Sequence, residues 1–150
     1  MKKIISVVML GLFLGACSTN TNMSGSHPAY LHALSDLRDA KWMLENRPGN
    51  AAVSDDEGMA IQQIGAAIGD VRKASVDDGK DVYRQPGADF ANDRPGRLHK
   101  ALELLNKVRS DVAVEEDDPA AKDLQYSALR HIDAALEATR HALSDAGQRE

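Results

Sequence analysis

Four stretches of the chain repeat apolar residues at intervals of three and four, which places side chains on one face of an α-helix. Strand-like alternation is almost absent. The pattern predicts helices over residues 28–46, 54–76, 95–117 and 119–146. Because short turns join the first pair and the last pair, we expect an all-α domain over residues 28–147, an antiparallel up-down-up-down four-helix bundle.

Local signals mark the ends of these helices. Ser54 and Glu57 have the spacing of a capping box, in which each side chain bonds the backbone N–H of the other. Asp118 is a suitable N-cap for a fourth helix that begins at Pro119. Six alanines on the predicted inner faces indicate a narrow core: Ala33, Ala40, Ala67, Ala101, Ala128 and Ala135.

The connection between the second and third helices, residues 77–94, is longer than the two to eight residues usual in bundles. It contains two aromatic residues, Tyr83 and Phe90. One interpretation is that they fold back and close one end of the bundle. The alternative is that they form a binding loop, because long loops often carry function.

The start of the chain has the three parts of an export signal. Lys2 and Lys3 precede an apolar run over residues 4–14, which is shorter than the roughly 20 residues of a spanning helix. Small residues then lead to Cys17, the only cysteine, so the chain has no internal disulfide. The sequence Leu-Gly-Ala-Cys at residues 14–17 resembles the lipobox of bacterial lipoproteins.

This resemblance implies a processing route. Residues 1–16 would be a signal peptide, and Cys17 would carry a diacylglycerol thioether and an N-acyl chain such as palmitate. Residues 17–27 would be the lipidated N-terminus and a flexible tether. Ser18 resembles the sorting residue of outer-membrane lipoproteins, so the expected location is the cell envelope, in the outer membrane and facing the periplasm.

The stretch HPAYLHALSDLRDAKW, residues 27–42, also has a resemblance, together with the later RPGN, DDGKD and RPGRLHKALELL segments. These segments resemble small exported bacterial proteins with an uncharacterised helical domain. The resemblance implies export and the domain boundaries, and it implies no activity or cofactor.

Charge narrows the classes of partner. Asp and Glu number 23 against 18 Lys and Arg, for a formal net charge of −5. This acidic balance argues against a nucleic-acid partner, which requires a basic face. It also argues against electrostatic adhesion to anionic membranes.

Histidines are the strongest candidates for metal ligands. In the expected topology His27, His32, His99 and His141 gather toward one end of the bundle, while His27 and His131 sit at the margins of apolar faces. No His-x-x-x-His or Glu-x-x-His pair occurs. A metal site at His27, His99, His131 and His141 is therefore the weaker hypothesis, and histidines that are solvated or pack at the edges of apolar faces are the stronger one.

The sequence gives little support for a haem site or for a site at its acidic runs. Covalent haem needs Cys-x-x-Cys-His, which the chain lacks. The acidic runs at residues 55–57 and 115–118 are expected to be solvated and to complement helix dipoles. Trp42 is expected to pack on a neighbouring helix, with exposure as a partner anchor as the alternative.

The residues therefore predict no catalytic constellation and no cofactor besides the lipid on Cys17. The expected function is that of an envelope lipoprotein, held to the membrane by its lipid, with a non-catalytic interaction or structural role and an envelope protein as partner. The alternative is a periplasmic bundle that binds a small ligand or metal through the 77–94 loop and the histidines at one end.

Overall fold

A computed structural model describes residues 28–46, 53–75, 94–114, 116 and 118–148 of the chain. Four helices are present in it: α1 at Pro28–Glu45, α2 at Asp55–Ala74, α3 at Arg94–Val112 and α4 at Pro119–Gly147. No strand occurs within these ranges. The prediction of an all-helical fold with four helices is confirmed.

The two predicted helix starts have the expected caps. The Ser54 hydroxyl accepts from the Glu57 backbone N–H at 3.2 Å, and the Glu57 carboxylate accepts from the Ser54 N–H at 3.1 Å. At the start of α4, the Asp118 carboxylate accepts from the Ala120 N–H at 2.9 Å, with Pro119 at the first helical position. Each cap satisfies backbone donors that the first helical turn leaves without partners.

α3 ends at Val112, five residues before the predicted boundary at residue 117. The Gln125 side chain explains the early end, because its amide donates to the carbonyl oxygens of Val112, at 2.7 Å, and of Val114. A side chain of α4 thus terminates α3, and local sequence signals do not encode such a tertiary contact.

The core follows the predicted helix faces closely. Leu34, Leu37, Ile64, Leu105 and Ile132 are among its largest fully buried side chains. All six alanines expected on the inner faces have no exposed surface: Ala33, Ala40, Ala67, Ala101, Ala128 and Ala135. Alanine at these positions lets helices approach closely, which gives the narrow core that the sequence indicates.

Each helix packs mainly on two others. α1 packs on α2 and α3, and α4 also packs on α2 and α3. α2 and α3 therefore lie diagonally across the bundle, although they follow each other in the chain.

Side-chain contacts give the directions of the helices. Tyr30, in the first turn of α1, bonds Glu116, which follows α3. Arg97, in the first turn of α3, bonds the carbonyl of Met43 near the end of α1. α1 and α3 are therefore antiparallel neighbours.

The remaining contacts complete the order. The end of α3 meets the first half of α4, where Gln125 bonds Val112. α2 and α3 begin at the same end of the bundle, because the Arg94 guanidinium lies 3.0 Å from the Glu57 carboxylate. α1 and α4 consequently run in one direction and α2 and α3 in the other, so the order is up-down-down-up. The predicted up-down-up-down order is wrong.

Loop length explains the difference in order. We call the end that holds Tyr30 and Glu116 the near end, and the end that holds Glu57 and Arg97 the far end. α2 runs from the far end to the near end, whereas α3 begins again at the far end. Residues 76–93 therefore join opposite ends of helices about 30 Å long, a distance well within the roughly 60 Å that this many residues can span.

Candidate functional sites

A buried polar pair closes the near end. Tyr30 and Glu116 each expose only 3 % of their surface, and the Tyr30 hydroxyl donates to the Glu116 carboxylate at 2.6 Å. The second carboxylate oxygen accepts from the Asp118 N–H at 2.9 Å. Burial, followed by the hydrogen bond to Glu116 and its negative charge, raises the pKa of Tyr30 well above its ordinary value. Tyr30 therefore remains a hydrogen-bond donor at neutral pH.

A buried carboxylate lies at the far end. Glu57 is 1 % exposed, accepts from its own cap at Ser54, and pairs with the Arg94 guanidinium at 3.0 Å. Its position in the first turn of α2 also lets it interact favourably with the helix dipole. These contacts join the starts of two helices that the chain places far apart in sequence.

Arg97 is the buried cation of the same end. The side chain is 5 % exposed and donates to the Met43 carbonyl at 2.9 Å and to the Asn46 carbonyl at 3.2 Å. These carbonyls belong to the last turn of α1, where a positive charge is favoured. Arg97 thus acts as a C-cap for α1 that is supplied by α3.

The four most deeply buried long polar side chains, Glu57, Arg97, Glu116 and Gln125, all bond the ends of helices or the turns beside them. Their hydrogen bonds satisfy backbone groups that a helix cannot satisfy internally. These hydrogen bonds hold the four helices in register.

A groove of about 230 Å³ opens between α2 and α4 toward the far end. Its lining is mostly apolar, with Met59 from α2 and Ala134 and Ala138 from α4. The six lining residues are Met59, Gln63, Ala134, Glu137, Ala138 and His141. Met59 is half exposed there, although methionine is an apolar residue.

His131 lies in the same α2–α4 interface, below the groove. Its Nδ1 atom is 2.7 Å from the Gln63 amide oxygen, and its Nε2 atom is 3.8 Å from the Asp70 carboxylate. The ring is half-buried between these two side chains of α2. The contacts bind α4 to α2 and hold the side chain of Gln63, which also lines the groove.

The histidines do not share one end, contrary to the prediction. His32 is exposed near the start of α1, whereas His99 and His141 are exposed toward the far end and His131 lies between α2 and α4. The up-down-down-up order causes this separation. Within the described ranges no three His, Cys, Asp or Glu side chains are grouped to hold a metal ion.

Four predicted site residues lie outside the described residues: Cys17, His27, Tyr83 and Phe90. The lipid attachment site and the predicted binding loop therefore stay predictions. In the part of the chain that the structure describes, no helix combines the length and apolar character that a membrane span requires.

Two expectations about surface residues have different outcomes. Trp42 is half-buried and packs against the core, which confirms the packing interpretation. The expectation that the acidic runs are solvated is wrong for Glu57 and Glu116, which are buried. Both carboxylates have hydrogen-bond donors from other parts of the chain, and such partners make burial of a charge tolerable.

The sequence contains a signal for some of these residues. Gln125 lies at helical spacing with the buried Ala121, Ala128 and Ile132. The sequence therefore predicts a polar residue on the inner face of α4. Arg97 likewise lies four residues before the buried Ala101, on the inner face of α3. Glu116 lies between helices, where periodicity gives no information.

Comparison with protein-family models, with curated proteins and with solved structures gives no match for this chain.

Proposed function

We propose that this protein is a lipid-anchored envelope protein whose bundle has an interaction or structural role and performs no catalysis. The observation that carries the proposal is the sequence of residues 1–17, in which a basic start and a short apolar run lead to Leu-Gly-Ala-Cys. Two or more acyl chains on Cys17 would give stable membrane attachment, since each buried methylene contributes about 0.8 kcal/mol.

The geometry of the bundle supports a role away from the membrane. A tether that ends at residue 27 meets α1 at the near end. The far end, with the α2–α4 groove, lies at the opposite end of the bundle from the point where α1 begins. Ser18 supports the outer membrane, facing the periplasm, as the location.

The uses of the buried polar groups support a structural or interaction role. Glu57, Arg97 and Glu116 are engaged in contacts between helix ends, which fix the shape of the domain. A rigid domain of this kind suits a scaffold or a docking partner, because preorganised surfaces lose less entropy on binding.

Fractionation of cells that express the Cys17→Ser variant tests the anchor. We expect the wild-type protein in the membrane fraction and the variant outside it, because serine has no thiol to form the thioether. Ser18→Ala, which keeps Cys17, is the matched control and should remain in the membrane fraction. Membrane recovery equal to that of wild type, for Cys17→Ser chains that have lost residues 1–16, would contradict the proposal.

Crosslinking in intact envelopes, followed by purification of the full chain, tests the interaction role. We expect a crosslinked envelope protein or cell-wall fragment that depends on an intact bundle surface. Recovery of the chain alone under all crosslinking conditions would argue against the role.

A further inference from the structure

The α2–α4 groove has the size of one side chain. Its volume of about 230 Å³ lies below the roughly 300–1,000 Å³ of pockets that hold drug-sized ligands. It exceeds the ~150 Å³ cavity that accommodates benzene. With Met59, Ala134 and Ala138 in its lining, the groove offers an apolar surface for one leucine or aromatic side chain.

Acidic side chains lie on both of the helices that form this apolar surface, with Arg140 as a cation near them on α4. Glu137 lines the groove, and Asp55 lies one turn before Met59 on the same face of α2. Asp56 follows in the same first turn, and Asp145 lies one turn beyond His141 on α4. Among the described residues, none of the ion pairs involves any of these four carboxylates.

We propose that the groove docks a basic peptide segment of an envelope partner. One apolar side chain of that segment would enter between Met59 and Ala138, and flanking Lys or Arg side chains would pair with Glu137 and the acidic first turn of α2. The proposal deepens the interaction role proposed above and rests on it for the location of the partner.

Charge decides between this partner and the other occupants of an apolar groove. Anionic lipid headgroups would be repelled by the carboxylates at its rim. A second copy of the chain would bring the same acidic surface against itself, and like charges across an interface disfavour association. A basic segment instead gains attraction from Glu137 and from the acidic first turn of α2, with a strength that falls as salt increases.

Fluorescence anisotropy with a labelled peptide of alternating lysine and leucine tests the proposal. The protein is the purified full chain in a nonionic detergent, and detergent alone is subtracted. Glu137→Lys should weaken binding about fivefold at low salt, because an attraction of about 0.5 kcal/mol becomes a repulsion of similar size, a total change of about 1 kcal/mol. Met59→Ala should weaken binding by a similar factor through loss of apolar contact.

Two variants on other surfaces are the matched controls. Glu103→Lys makes the same change of charge at an exposed site on α3, and Tyr126→Ala removes an exposed apolar side chain of α4. Both should bind the peptide as wild type does. Circular dichroism of every variant confirms that the bundle is intact.

Equal weakening by Glu137→Lys and Glu103→Lys would show nonspecific attraction and would overturn the proposal, as would absence of binding. A peptide with lysine and serine in alternation should bind more weakly than the lysine–leucine peptide, and equal binding would also overturn it. Because the assay does not require a lipid on Cys17, its failure leaves the anchor proposal intact, and a bare cysteine leaves the groove proposal intact.

Discussion

At the scale of the residue, the near end depends on one hydrogen bond between buried groups. The Tyr30 hydroxyl donates to the Glu116 carboxylate, 86 residues away in sequence, so the bond links α1 to the turn between α3 and α4. Tyr30→Phe removes the donor and keeps the ring. We expect the free energy of unfolding at pH 7 to fall by about 1–2 kcal/mol in urea denaturation, because a buried acceptor loses a partner.

The same residue gives a pH dependence. The pKa of Tyr30 is raised above its ordinary value of 10.0 by burial and by Glu116, so the folded state retains the proton longer than the unfolded state. The stabilisation is therefore complete below pH 10 and is lost as the pH rises toward the folded-state pKa. Between pH 9 and 11 the wild type should lose about 1.4 kcal/mol more than Tyr30→Phe.

Tyr126→Phe is the control for this experiment, because Tyr126 is 56 % exposed. It should lose stability between pH 9 and 11 as the wild type does. Parallel stability curves for wild type and Tyr30→Phe would show that Tyr30 does not control the alkaline transition.

Arg97 gives a prediction at the far end. Arg97→Met keeps the length of the side chain and removes the donor to the carbonyls of Met43 and Asn46. The loss should destabilise the fold by about 2–3 kcal/mol, since hydrogen bonds from charged donors are among the stronger ones. Arg109→Met, which breaks an exposed pair with Asp133, should change the urea midpoint far less. Similar midpoints for both variants would contradict the capping role of Arg97.

At the scale of the element, α2 contains glycines that its own packing does not require. A Cβ atom at Gly65 or at Gly69 would meet nothing within 4 Å. Gly65→Ala should therefore raise the free energy of unfolding by about 0.5–1 kcal/mol, because alanine favours the helix. Thermal unfolding of the full chain measures the effect, and a lower melting temperature would show that a contact at this face needs glycine.

Helix positions were predictable from the sequence, and one helix end was not. Apolar spacing together with the caps at Ser54 and Asp118 gave the starts of α2 and α4 to within one residue. The end of α3 escaped prediction because Gln125, thirteen residues away from Val112, determines it. The burial of Glu116 escaped for the same reason, since its partner Tyr30 is distant in sequence.

At the scale of the whole molecule, the order of the helices follows from one long connection. Periodicity shows which face of a helix is buried, but it does not show which helices are neighbours. The length of residues 77–94 was visible in the sequence as an anomaly. α2 ends at the near end and α3 begins at the far end, so this connection has to join opposite ends of the bundle. The histidine cluster expected from the simpler order fails with that order.

A chemical crosslink tests the helix order directly. Asp36 and Lys107 form an ion pair between α1 and α3, so cysteines at these positions should be joined by a short bismaleimide in a Cys17→Ser background. The control replaces Lys107 with Lys100, which lies two turns earlier on the same face of α3, about 10 Å away. A crosslink from position 36 to position 100, without one to position 107, would contradict the up-down-down-up order.

The central claim about function concerns the chemistry of one sulfur atom. Intact-mass spectrometry of the native protein, extracted from membranes, examines that atom without any variant. We predict a chain that begins at Cys17 and carries the added mass of a diacylglycerol and a further acyl group. A chain that still begins at Met1, or one with an unmodified Cys17, would contradict the account.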